Sequence, residues 1–276
     1  MMATDLLISP RKVYNPPSPR RPKDNRGKAV TIGIGIRCTD GIVLSADTLI
    51  TVPGSHKYYE SKIFAVSYPP LRDRSFFTFA GYPELMKTFR DKFTEAALRS
   101  DFDLSVSGVK DTTEDILQEM EGAILNSLDS TGGLQMLCAS FIGGNLSLLR
   151  TSETSVHKVG LYDYVGAGDS SLLRYLSSLL LTQTVSVKIG SIIASYLVTK
   201  AKQLVDGCGG ETDLVQIMAD GKVHSFTGSF KDREILMAEF YIKQFIGTVF
   251  IPSISDDHRN KVFESLSTSF RDLLRS

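Results

Sequence analysis

The chain has 276 residues, and its 31 Lys and Arg are matched by 31 Asp and Glu. A formal charge of zero excludes a net field that would draw it to nucleic acid or to an anionic membrane. With 42% hydrophobic residues, one large domain or two small ones can bury a sizeable core. Cys38, Cys138 and Cys208 lie far apart with no CxxC pair, which argues against a disulfide framework or a zinc site and predicts reduced, mostly buried thiols. His56, His157, His224 and His258 are scattered singly, so neither metal nor cofactor is expected. No apolar run approaches the roughly 18 residues of a membrane span, and the N-terminus is not a secretory signal. The expected location is cytoplasmic.

Residues 1–28 carry five prolines, with seven basic residues against two acidic ones. Such a segment cannot bury enough apolar area to offset its ordering entropy. It reads as a disordered basic leader, with a removable propeptide or a docking arm as the sharper alternatives. The segment Val30–Phe64 then gives two apolar runs split by Thr39-Asp40-Gly41. Asp-Gly supplies the positive φ of a tight turn, so the spacing predicts strand (about 30–38), turn, strand (about 42–48). A loop leads to a third strand near Lys62-Ile63-Phe64. A strand at Phe76–Phe79 precedes a helix from Pro83, which suits a first turn, to Arg99. A second helix is expected over 112–128, with Ile116, Met120, Ile124 and Leu128 on one face.

Leu134–Ile142 and Leu146–Thr151 flank Gly143-Gly144-Asn145 as a further hairpin, and short strands follow at Val156–Val159 and Tyr162–Val165. Asp169 is read as capping a helix of about 170–182, and Ser186–Val205 as a long helix. Thr212–Met218 and Lys222–Phe226 close the pattern around Asp220-Gly221. Helical patterns at about 230–246 and 256–274 follow. The order is strands, two helices, strands, two helices, strands. That predicts an α+β fold rather than alternating βαβ units. A four-layer αββα sandwich, two antiparallel sheets flanked by helix pairs, satisfies it. The expected division is leader 1–28, domain 29–229 and a C-terminal helical extension 230–276.

The run IGIRCTDGIVLSADT followed by Lys62-Ile63-Phe64 resembles the first hairpin of proteasome-type subunits, beta-subunit-like members of the N-terminal-nucleophile hydrolase fold. Phe79-Ala80-Gly81, Gly166-Ala167-Gly168 and Asp206 through Gly210 are weaker echoes. The resemblance covers roughly residues 30–226 and implies the same sandwich. It implies a Thr hydroxyl nucleophile, activated by its own freed α-amine, whose pKa lies near 8. A Lys lowers the nucleophile's pKa and an Asp orients that Lys. Carried over residue by residue, the nucleophile falls on Thr31, the Asp on Asp47, the Lys on Lys62 and a later Asp on Asp206. The backbone near Ala167–Gly168 would meet the oxyanion. Where the family cuts a Gly–Thr bond this chain has Val30, Ala167 stands where the family has Ser, and the Ser expected near Gly209 is absent.

Two readings follow from the resemblance. One is a threonine-type peptidase subunit that loses residues 1–30, assembles with like subunits in a ring or open oligomer and degrades peptides or unfolded protein. The other is a non-catalytic scaffold subunit that keeps its leader, with Thr31 an ordinary strand residue and Asp47–Lys62 a structural ion pair. A different amidase of the same fold is a third, lesser reading. No nucleic-acid or membrane partner is expected.

Overall fold

The computed structural model describes residues 31–51, 57–68, 73–131, 133–166, 171–181 and 184–227, with 255, 257, 260, 261 and 264. The leader, residues 167–170 and nearly all of the C-terminal extension lie outside the described residues, as does the expected cap Asp169. The elements are β1 (Ile32–Arg37), β2 (Gly41–Asp47), β3 (Leu49–Thr51), β4 (Lys57–Tyr59), β5 (Ile63–Ser67), β6 (Arg74–Gly81), α1 (Pro83–Ala97), α2 (Val106–Glu119), α3 (Glu121–Thr131), β7 (Leu134–Ile142), β8 (Asn145–Ser152), β9 (Ser155–Lys158), β10 (Tyr162–Gly166), α4 (Ser171–Leu180), α5 (Val187–Leu204), β11 (Thr212–Met218) and β12 (Val223–Phe226). The strands form three antiparallel sheets. One runs β10-β1-β2-β11-β12, another β5-β6-β7-β8-β9, and β3 pairs with β4 alone. With five helices among the described residues, the fold is α+β, as the segregated pattern predicts.

Hydrophobic periodicity and turn chemistry account for the hairpins. Every residue of β2 is buried and β1 is buried up to Ile36, as expected of strands covered on both faces. Between β7 and β8, Gly143 and Gly144 take φ of 54° and 78°, which a tight two-residue turn requires. Asp40, in the β1–β2 turn, does more than reverse the chain. Its Oδ1 accepts the Val187 backbone N–H at 2.7 Å, and Ser186 Oγ accepts from Ile189, so α5 is capped from two sides.

Two expectations need correction. The helix expected over 112–128 starts earlier, at Val106, where Ser105 Oγ accepts the Gly108 N–H at 3.0 Å. The helical run then breaks at Met120. The four-residue stripe survives the break, since Ile116, Met120 and Ile124 are all buried. The stretch expected as a loop before Lys62 contains the β3–β4 pair, in register Leu49 with Tyr59 and Thr51 with Lys57.

Three apolar clusters organise the interior. α1, α2 and α3 cover one side of the second sheet, where Phe77, Phe89, Phe93 and Leu117 are fully buried. α4 and α5 cover one side of the first sheet through Ile32, Ile34, Val43, Ala194, Leu197 and Leu214. A third cluster joins residues of both sheets, among them Ile42, Leu44, Val215 and Ile217 with Phe76, Leu137 and Leu148. The cysteines are free thiols, Cys138 and Cys208 buried and Cys38 half-buried. No helix among the described residues is long and apolar enough to cross a membrane.

Candidate active site

The β1–β2 hairpin brings Thr31, the residue ahead of β1, against Asp47, the last residue of β2. Thr31 is 5% exposed and Asp47 is fully buried. Thr31 Oγ1 donates to Asp47 Oδ1 at 2.6 Å, and the same oxygen accepts the Ile32 backbone N–H at 3.0 Å. Lys62, the residue ahead of β5, reaches in from the other sheet with 2% exposure. Its ammonium donates to Thr31 Oγ1, to Asp47 Oδ1 at 2.8 Å and to the Leu49 carbonyl at 2.5 Å. All three donors of the ammonium are therefore used.

Burial presses the Lys62 pKa down from its ordinary value of 10.5, against the Asp47 charge and hydrogen bond, which raise it. A buried, singly paired ammonium with a lowered pKa is a group able to give and take a proton. The hydroxyl it touches is held between that ammonium and a carboxylate. Removing one partner of such a pair costs about 3–5 kcal/mol, because the other charge stays buried.

The turn after α5 closes the site from a third side. Gly209 donates its backbone N–H to Asp47 Oδ2 at 2.9 Å, so both oxygens of Asp47 are occupied. Cys208 lies beside the cluster. Its thiol is pushed up to about 12 by burial first and then by the Asp47 charge, with Lys62 and Lys202 acting the other way. It stays a neutral thiol near neutral pH. Asp206, the fourth candidate, is exposed on this turn. Among the described residues no hydrogen bond or ion pair joins it to Thr31, Asp47 or Lys62; its segment contributes through the Gly209 backbone instead.

A small recess opens over Thr31, lined by Leu49, Ile50, Thr51, Lys62, Phe79, Gly81 and Pro83, with a volume of about 10 Å³. Gly81, at the end of β6, is the glycine that meets this recess. Ala167 and Gly168, expected to meet the oxyanion, lie outside the described residues. Sequence reasoning also missed Asp213 of β11. It is 3% exposed, and neither carboxylate oxygen has a hydrogen-bond partner among the described residues. Its signal was available, since Asp213 interrupts an otherwise apolar strand pattern at a position shared with Val215 and Ile217. Among the described residues no group of three or more His, Cys, Asp or Glu could hold a metal ion.

No family model matches the chain, and no curated protein matches it. Solved structures do. Anbu (ancestral beta-subunit) from Yersinia bercovieri superposes with a TM-score of 0.67 at 11% identity, covering 82% of this chain and 100% of its own. Anbu from Hyphomicrobium sp. strain MC1 gives 0.67 at 12% identity, with 82% and 100% coverage. A helical assembly of the Anbu complex from Pseudomonas aeruginosa gives 0.65 at 12% identity, with 83% and 100% coverage. Likeness at this identity is a likeness of fold. The chain carries the fold of these ancestral beta-subunit structures, proteasome-like relatives with the N-terminal-nucleophile hydrolase fold.

Proposed function

We propose that this protein is a subunit of a self-compartmentalising, proteasome-type assembly in the cytoplasm, and that its Thr31 hydroxyl cleaves peptide bonds. The observation that carries the reading is the convergence of Thr31 Oγ1, Asp47 and the depressed Lys62 ammonium inside a buried pocket. The arrangement of two five-stranded sheets and helices on their outer sides supports the four-layer αββα sandwich that this chemistry uses in the family the hairpin resembles.

In the proposed reaction Thr31 Oγ attacks the scissile carbonyl carbon while its proton passes to neutral Lys62 Nζ. Asp47 orients the lysine and stabilises the ammonium that forms. The backbone of Gly81 is the donor we assign to the oxyanion, since it lines the recess over Thr31. The C–N bond then breaks, Lys62 returns the proton to the leaving amine, and water hydrolyses the Thr31 ester. The same attack on the Val30 carbonyl would cut the leader. This assigns the base to Lys62, whereas the resemblance implied the Thr31 α-amine. The substrate is peptide or unfolded protein, and the partners are like subunits in a ring or open oligomer.

A specific observation favours the second reading, a non-catalytic scaffold. Thr31 is 5% exposed, so its hydroxyl is almost closed off from anything outside the fold. Intact mass of the purified native protein separates the two. A species beginning at Thr31 supports the peptidase, and full retention of residues 1–30 sinks it. In the processed protein an epoxyketone or boronate probe should label the wild type, and Thr31→Ala should abolish labelling. Labelling that persists in Thr31→Ala moves the nucleophile elsewhere.

A further inference from the structure

Asp213 stands where an apolar side chain would pack at lower cost. The register pairs Ala46 with Gly33 on one side and with Asp213 on the other, so the three form one row across β1, β2 and β11 and share a face. Val215 and Ile217, on the same face of β11, join Phe76, Ala80 and Leu137 of the other sheet in one cluster. A Cβ at Gly33 would fall 2.9 Å from Thr78 Oγ1 of β6. The row therefore looks at the second sheet, the one from which Lys62 enters. Gly33 and Ala46 are its small members, and Thr78 Oγ1, like both oxygens of Asp213, has no hydrogen-bond partner among the described residues.

An isolated carboxylate at 3% exposure is strongly unfavourable unless a positive charge answers it. Among the described residues the buried cation is Lys62. Its three donors are committed to Thr31, Asp47 and Leu49, so no hydrogen bond is left for a second acid. We propose that Asp213 is a positioning residue for Lys62, a second buried carboxylate that acts on the ammonium through its field from the space between the sheets. The inference deepens the proposed Thr31 chemistry and rests on that reading only for its consequence for rate.

The groups facing Lys62 are Thr31 ahead of β1, Asp47 of β2, the Leu49 carbonyl of β3, the Cys208 thiol after α5 and Asp213 of β11. Cys208 stays neutral, because burial and the Asp47 charge push its thiol up to about 12. The two carboxylates are then the charges that hold the ammonium against burial. Burial is the largest influence on Lys62; Asp47 opposes it most, Cys208 next and Asp213 least. Removing the Asp213 charge must therefore lower the Lys62 pKa further.

The full chain is labelled with 13Cε-lysine, and the Lys62 resonance is assigned by its loss in Lys62→Arg. Its titration midpoint should fall in Asp213→Asn, as expected when an opposite charge nearby is removed. Asp213→Glu, which restores the charge, should bring it back toward the wild type. An unmoved midpoint in Asp213→Asn overturns the proposal. Should Asp213→Asn fail to fold, the midpoint is read in Asp213→Ser, where a fall supports the proposal and an unmoved midpoint overturns it. If Thr31 is unreactive to the probe while the midpoint still moves, the peptidase reading falls and the role of Asp213 stands.

Discussion

The helices α1–α3 pack on their sheet through aromatic rings, whereas α5 packs on its sheet through short and aliphatic side chains. On the first side Phe77 contacts Phe93 and Phe89 edge-on at 4.9 and 5.5 Å, and stacks on Phe64 at 5.0 Å. On the second, α5 presents Gly190, Ser191, Ala194, Ser195 and Ala201 as buried positions. Short side chains let a helix backbone approach a sheet closely, and close-packed interiors leave little room to shift. The strands held this way, β1 and β2, carry Thr31 and Asp47. The aromatic side supplies large apolar burial; the α5 side supplies a rigid frame for the site.

The sharpest way to separate the two roles is Lys62→Met. It should cut probe labelling of Thr31 by about 10³-fold or more, because residues that act as a unit are lost together. It should also cost about 3–5 kcal/mol in urea unfolding, because Asp47 is left buried without its cation. In the wild type, labelling should rise with pH up to the Lys62 pKa and then level. Below that pKa the ammonium cannot take the Thr31 proton; above it the amine can. Since burial lowers the pKa from 10.5, the midpoint of the rise must lie below that value. A limb centred on or above it would contradict the assignment of Lys62 as base.

Phe93→Ala tests the aromatic side. Phe93 is fully buried and touches the Phe77, Phe89 and Phe102 rings, so truncation should cost about 3–5 kcal/mol by urea unfolding. Thr31 labelling of the folded fraction should be unchanged. A large fall in labelling would show that the two halves do not divide the work. Gly41→Ala tests the frame with the smallest expected effect. A Cβ there would meet the Ile217 carbonyl and fall 2.7 Å from Val187 of α5. The expected cost is about 1–3 kcal/mol, together with slower labelling, since Gly41 opens the strand that ends in Asp47. Unchanged labelling would mean that the frame tolerates a shifted helix.

Legibility in the sequence followed the range of the interaction. The β1–β2 and β7–β8 hairpins were readable because alternation and a Gly-containing turn are local signals. The boundary at Ser105 was missed because the stripe Ile116, Met120, Ile124 dominates the window and continues across the break at Met120. The β3–β4 pair was missed because two three-residue strands carry too little pattern to stand out. Thr31, Asp47 and Lys62 were found together through the resemblance to the proteasome-type hairpin, and the structure brings their side chains into one cluster. Asp206 was carried over from the resemblance, and the structure leaves it exposed while Gly209, three residues on, binds Asp47.

The sequence by itself determined the longer strands and the α5 helix, because periodicity, caps and turns act over a few residues, while the resemblance supplied the three residues whose side chains meet. Only the tertiary structure decided that Lys62 spends all three donors within the site, that Gly81 lines the recess and that Asp213 is buried between two sheets. Those facts depend on strands far apart in the chain, Thr31 against Lys62 and Ala46 against Asp213. No local pattern carries a distance across 31 or 167 residues of chain.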